Sequence, residues 1–222
     1  MADGFPVSAT RFFAGLEEDN SKAYWEAHRD TFARDVVEPM AALLDSLPER
    51  YQPFRVFRMN RDLRFTADKT PYKTMHGAVH EEDGAVHYLH LDSAGLLVAC
   101  GVYLMSASQL ERYRAAVADN RTGPALLRLL AQVRELGLDT GPGGAAPLKT
   151  APRGCAREHP RIELLRQKGV IASATLTGRG LRDAMQVRQF VVDTFAAAEP
   201  LQRWLRRQVG ADAPQQVGEA HP

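Results

Sequence analysis

The run from Leu96 to Leu104, L-L-V-A-C-G-V-Y-L, most limits what this chain can form. It is almost wholly apolar, which suits a central strand covered on both faces. The apolar stretch from Gly95 to Met105 is too short to cross a bilayer as a helix. A central strand needs neighbours, and the sequence offers them close by. Met75 to His80 and Ala85 to Asp92 read as two strands joined at E-E-D-G, an acidic hairpin turn ending in Gly84. Arg55 to Met59 alternates like a further strand, and Val170 to Leu176 reads as another. Closely spaced strands with short turns predict an antiparallel meander.

Helical patterns flank the strands. Ser8 suits the N-cap of a short helix carrying Phe12, Phe13 and Leu16, and Asn20 or Ser21 can cap a longer one. Along the second, Trp25, Phe32, Val36, Met40, Leu43 and Leu47 recur at helical spacing. Pro39 predicts a kink or restart there. Ser106 with Gln109 makes a capping-box pattern, and Pro124 suits the first position of another helix that ends at Gly137. D-T-G-P-G-G-A-A-P reads as a flexible loop. A short helix can start at Pro160, and a long one carries Leu181 to Leu205, with Pro200 expected to bend or divide it. The expectation is a single α+β domain over residues 6–209: a mainly antiparallel sheet packed by an N-terminal helix pair, central helices and a long C-terminal helix. Residues 210–222 are expected to be a disordered tail.

A chain of 222 residues with a formal net charge of +1 has no general excess of positive charge. Nucleic acid is therefore an unlikely partner, the same balance argues against a membrane surface and no membrane partner is expected, so any affinity for anions must be local. The opening M-A-D-G-F-P-V-S shows no basic stretch followed by an apolar run, so no signal peptide is expected. Cys100 and Cys155 lack paired spacing, which favours a reducing, cytoplasmic setting, with one disulfide as the minority alternative.

The local exception in charge is R-V-F-R-M-N-R-D-L-R-F-T-A-D-K-T-P-Y-K, from Arg55 to Lys73. It holds Arg55, Arg58, Arg61, Arg64, Lys69 and Lys73 against Asp62 and Asp68, interleaved with Phe57, Met59, Leu63 and Phe65. If the strand ran on to Phe65, Arg58, Asn60, Asp62 and Arg64 would share one face and Arg61 would lie among apolar neighbours on the other. Arginine offers bidentate geometry and lysine a point charge, a mixture that suits phosphate or carboxylate. The alternative is a salt-bridge network fixing the sheet to the helices, with D-K-T-P as ordinary turn chemistry.

That segment, R-M-N-R-D-L-R-F-T-A-D-K-T-P-Y-K, resembles the signature of the domain-of-unknown-function 2461 family. L-K-T-A-P-R-G with H-P-R-I-E-L-L-R-Q-K (Leu148 to Lys168) and N-S-K-A-Y-W-E-A-H-R match further blocks in the right order. The resemblance covers roughly Pro6 to Leu205, with Thr66 where serine is commoner. It implies a compact α+β domain of bacterial and fungal occurrence, and it carries over no reaction and no catalytic residues.

The remaining candidates follow from residue chemistry. His76 and His80 share strand parity, while His87 and His90 have opposite parity. Without H-E-x-x-H or Cys-x-x-Cys, a metal centre is disfavoured and no metal ligand is assigned. Lys149 and Arg153 would enlarge the basic pocket if the second block folds against the first. His159, ahead of Pro160, is either a capped turn or a group reaching a ligand from a helix start. The reading is a basic pocket for a small anionic, phosphorylated ligand, held by Arg58, Arg61, Arg64, Lys69, Lys73, Lys149 and Arg153. Should it be catalytic, Asp62 or Asp68 would orient the cations or act as base, and Tyr72 or His159 would donate a proton. The rival is a non-catalytic scaffold or protein-interaction module. No cofactor, reaction or oligomeric state follows from the sequence.

Overall fold

The structure, a computed structural model, describes residues 4–61 and 70–212. Six strands form one sheet in the order β1-β2-β3-β4-β6-β5, every neighbouring pair antiparallel. They are β1 (Arg55–Val56), β2 (His76–Glu82), β3 (Ala85–Leu91), β4 (Leu96–Val102), β5 (Asp139–Gly141) and β6 (Val170–Leu176). The meander β1 to β4 is the one expected. Its hairpin turns at Asp83 and Gly84, both at positive φ (49° and 78°), as a two-residue turn matched to strand twist demands.

The apolar run becomes β4, with β3 and β6 on its flanks. The edge strand beyond β6, β5, departs from expectation. Asp139–Gly141, read as the start of a loop, pairs with Ile171 to Ser173 and closes that side of the sheet. At the other edge, Arg55 to Met59 contracts to a two-residue strand.

The helices are α1 (Val7–Glu18), α2 (Lys22–Phe32), α3 (Glu38–Ser46), α4 (Ala107–Ala118), α5 (Thr122–Glu135), α6 (Ile162–Leu165) and α7 (Ala184–Gln208). Ser21 caps α2 by accepting the Tyr24 N–H, and Ser106 with Gln109 forms the full capping box of α4. Ser8 does not cap. It lies inside α1, and its hydroxyl donates to the Asp35 carboxylate at 2.5 Å. Pro39 acts one turn upstream of itself. It has no N–H for the Asp35 carbonyl, and the helix widens over Ala33–Val37 into a π turn, where the Glu38 N–H reaches Ala33. Pro124 sits in the third position of α5, whose start is instead capped by the Asp119 carboxylate on the Arg121 and Thr122 N–H groups. Helix α7 runs through Pro200 undivided.

Pairing register sorts the sheet residues. His76, Ala78, His80, His87, Leu89, Leu91, Val98, Cys100 and Ala172 share one face, against which α7 packs across β3, β4 and β6. Tyr88 and His90 take the opposite face. Cys100 and Cys155 are both free thiols. Gly210, Ala211 and Asp212, assigned by sequence to the tail, bond to Gln109 and Arg112 of α4, and residues 213–222 lie outside the described residues.

Two histidines are buried on the helix-facing side. His76 lies edge-on to Phe32, and His87 packs among Tyr51, Phe195 and His80. Burial pushes each down to about 4, with Lys73 adding to it at His76 and His80, Arg206 and Arg50 at His87. Both rings are neutral in the fold, so the unfolded chain binds more protons between pH 4 and 6.5. Their contribution is complete above pH 6.5 and is lost as pH falls through that window. Urea unfolding should therefore show about 2 kcal/mol lost per ring between pH 7 and pH 5. His87→Leu should remove roughly half of that pH dependence, and an unchanged slope would contradict this assignment.

Candidate functional site

The signature segment leaves the sheet at β1 and returns before β2. The Arg61 N–H donates to the Pro71 carbonyl and the Lys73 N–H to the Met59 carbonyl, at 2.9 and 2.8 Å, around a bridge between Asn60 and Tyr72. Both ends of the intervening excursion are thereby pinned side by side. Asp62, Arg64, Asp68 and Lys69, four of the residues proposed from sequence, lie outside the described residues.

Tyr72 is held from the N-terminal helices. Asn20 accepts the Tyr72 N–H at 2.9 Å and donates its amide to the Tyr72 carbonyl at 3.1 Å. The Tyr72 ring stacks on Trp25 with centroids 4.7 Å apart. The N-S-K-A-Y-W block and the T-P-Y-K block thus meet face to face, and Tyr72 packs into the core at that junction.

Beside this junction, cations gather on the outer sheet face. Phe57, whose N–H donates to the Gly77 carbonyl, carries the Arg55 guanidinium 5.0 Å and the Lys73 ammonium 5.3 Å from its ring centroid. Lys73 is partly buried, and burial followed by the charges of Arg61 and Arg55 lowers its pKa. Among the described residues, no carboxylate lies within ion-pair distance of Lys73 or Arg55. Arg58 follows β1 on the exposed surface, the strand itself ending at Val56.

The same face carries a polar chain that sequence reasoning did not single out. Tyr88 is 2.8 Å from His90 Nδ1, and His90 Nε2 is 3.2 Å from Asp92 Oδ2. The Phe57 and Tyr88 rings are 6.1 Å apart, and Met75 Sδ lies 3.9 Å from the Tyr88 hydroxyl. The signal was available: Tyr88, His90 and Asp92 are spaced i, i+2, i+4, one face of a strand.

The second block behaves differently. Arg161 is buried, and its guanidinium donates to the carbonyls of Val117, Ala118 and Asp119 at 2.6, 2.8 and 3.3 Å. These are the open carbonyls at the end of α4, where a cation is favoured. His159 Nδ1 accepts the Arg161 N–H at 3.0 Å, the capped turn of the two readings. The adjoining α6 has four residues, and its first N–H groups already bond to His159 and Arg161 carbonyls. Lys149 and Arg153 are exposed. Among the described residues, no hydrogen bond or ion pair joins them or His159 to Lys73 or Arg55. Nor, among those residues, do three or more His, Cys, Asp or Glu side chains gather closely enough to hold a metal ion.

Fold and site together define an α+β domain with helix α7 on one face of an antiparallel sheet and an aromatic, basic cluster on the other. The chain belongs to the family described as conserved hypothetical protein (DUF2461), whose model matches residues 8–204. Comparison with curated proteins and with solved structures returned no match. No described helix is long and apolar enough to cross a membrane.

Replacing Arg161 separates architecture from site. Arg161→Met should cost about 2–4 kcal/mol in urea unfolding, because it strips the α4 carbonyls of a buried charged donor. Stability within about 0.5 kcal/mol of wild type would show that the guanidinium is not a structural cap.

Proposed function

We propose that the outer face around Lys73, Arg55 and Phe57 binds a small anionic ligand, with a phosphorylated compound as the preferred class. One observation carries the reading: the Lys73 ammonium and the Arg55 guanidinium lie over one aromatic ring, Phe57, and burial together with neighbouring positive charge lowers the lysine's pKa. The ammonium is held 5.3 Å from the Phe57 centroid, on the ring that also carries the Arg55 guanidinium at 5.0 Å. Like charges held together are a local cost, of the kind a fold retains where an anion is to be bound.

The scaffold alternative has its own support, in a different place. Arg161 and Asn20 are fully engaged in holding helices and loops together. The second block is therefore read as architecture, and Lys149 and Arg153 enter the proposal only as outlying surface charge. Binding is the whole of this proposal.

The test is thermal unfolding with inorganic phosphate, phosphomonoesters and dicarboxylates, on wild type and on Lys73→Met. A ligand at a hundred times its dissociation constant adds about 2.7 kcal/mol, which is roughly 5–10 °C for a domain of this size. Wild type should shift and Lys73→Met should not, while the variant without ligand melts at or above the wild-type temperature. Absence of any shift, with Lys73→Met markedly destabilised, would make Lys73 a scaffold residue and overturn the proposal.

A further inference from the structure

The polar chain on β3 is unusually well prepared for an element that no folding requirement explains. Asp92 stands just past the strand end, where its Oδ1 accepts the Ala94 and Gly95 N–H groups at 2.8 and 3.0 Å. That turn fixes the carboxylate and leaves Oδ2 for His90 at 3.2 Å. A carboxylate oxygen only accepts, so His90 Nε2 carries the hydrogen. In the neutral ring Nδ1 is then the acceptor, and the Tyr88 hydroxyl at 2.8 Å is its donor. With a neutral ring the chain runs one way: Tyr88 donates to His90, and His90 donates to Asp92.

Space for the imidazole is provided across the strand. Gly77 pairs with His90, and a Cβ on Gly77 would lie 2.8 Å from His90 Cβ and 2.8 Å from the Leu89 carbonyl oxygen. Any larger residue would displace the ring from the line between Tyr88 and Asp92. His90 and Asp92 remain partly open, with side chains 16% and 30% exposed. The chain is thus within reach of a ligand on the same face.

A hydroxyl that donates its hydrogen bond to a good acceptor becomes a stronger acceptor itself, and hydrogen bonds in series reinforce one another. The Tyr88 oxygen is therefore a polarised acceptor held near the Phe57 ring that carries the Lys73 and Arg55 cations. Burial, then Tyr103 and Asp92, raises the Tyr88 pKa, so the phenol stays neutral, and His90 Nδ1 at 2.8 Å is a much closer acceptor for its hydrogen than Met75 Sδ at 3.9 Å. A fully ionised alkyl phosphate has oxygens for the cations and no donor to offer this acceptor. A ligand with both an oxyanion and a hydroxyl donor satisfies both halves.

We infer that Tyr88, oriented by His90 and Asp92, is a specificity-determining residue that selects hydroxylated anions, as found in sugar and polyol phosphates or hydroxy acids. The inference rests on the anion site proposed above. Tyr88 touches the ligand, and His90 and Asp92 are positioning residues.

The experiment measures dissociation constants by calorimetry for ribose 5-phosphate, propyl phosphate and glycerate. Proteins are wild type, Tyr88→Phe, His90→Phe and Lys73→Met, each checked for native circular dichroism. Wild type should bind ribose 5-phosphate at least tenfold tighter than propyl phosphate. Tyr88→Phe should abolish that preference by weakening ribose 5-phosphate alone, and His90→Phe, which keeps the hydroxyl but not its acceptor, should reduce it. Glycerate distinguishes a carboxylate from a phosphate as the oxyanion. If both phosphates bind equally to wild type and depend on Lys73, the anion site stands and the role of Tyr88 is refuted. A Tyr88→Phe variant that loses both phosphates equally also refutes it. Should none of the three ligands bind wild type, both readings fall together.

Discussion

The grip of Asn20 on the peptide of Tyr72 ties the two halves of the fold. A side-chain amide here does what a neighbouring strand would do, accepting one N–H and donating to one C=O across 52 residues of sequence. The Tyr72 backbone has left the sheet and needs partners wherever it is buried. Because Asn20 sits just before α2, the same contact fixes the helix pair against the sheet edge and lays Trp25 over the Tyr72 ring. The returning chain then reaches Lys73 in one position only, with its N–H on Met59 and its ammonium on Phe57.

That arrangement explains why two dense blocks of sequence have such different consequences. The Arg161 guanidinium donates to three backbone carbonyls, so its charge is spent on holding the end of α4. Around Lys73, charge is gathered without a described carboxylate beside it and is placed on an aromatic surface. A buried or half-buried cation satisfied by carbonyls is architecture. One held among other cations is the feature on which the anion-binding proposal rests. The two blocks read alike as strings of basic residues, and only their partners tell them apart.

Much of the architecture was legible in the chain. The apolar run gave β4 its central position, the E-E-D-G turn set the hairpin, and Ser21, Ser106 and Gln109 marked helix starts, because each signal is local and has one good solution. Ser8 misled because its hydroxyl found a tertiary partner, Asp35, that outweighs a cap. Asp139–Gly141 hid because a glycine-bearing edge strand has little side-chain pattern of its own and takes its conformation from β6. The site was legible as a concentration of charge on one segment. It was not legible as geometry, since continuation of the strand beyond Val56 would have been needed to place Arg61 by parity. His90 was weighed as a metal ligand, and its real neighbours follow from the same period-two rule applied to Tyr88 and Asp92.

The outer face is also informative about energy. A sheet position between β2 and β4 could carry valine or leucine at less cost than a tyrosine, a histidine and an aspartate in series. A half-buried polar chain gains little over an apolar replacement, even when each member is bonded. The opposite face shows the contrast, for there His87 is enclosed by Tyr51 and Phe195 with neither ring nitrogen hydrogen-bonded. One histidine of β3 is neutral filling, and its neighbour three residues on is aligned between a phenol and a carboxylate that a turn has already fixed. Packing alone accounts for the first. The second is the polar arrangement from which the role of Tyr88 is inferred.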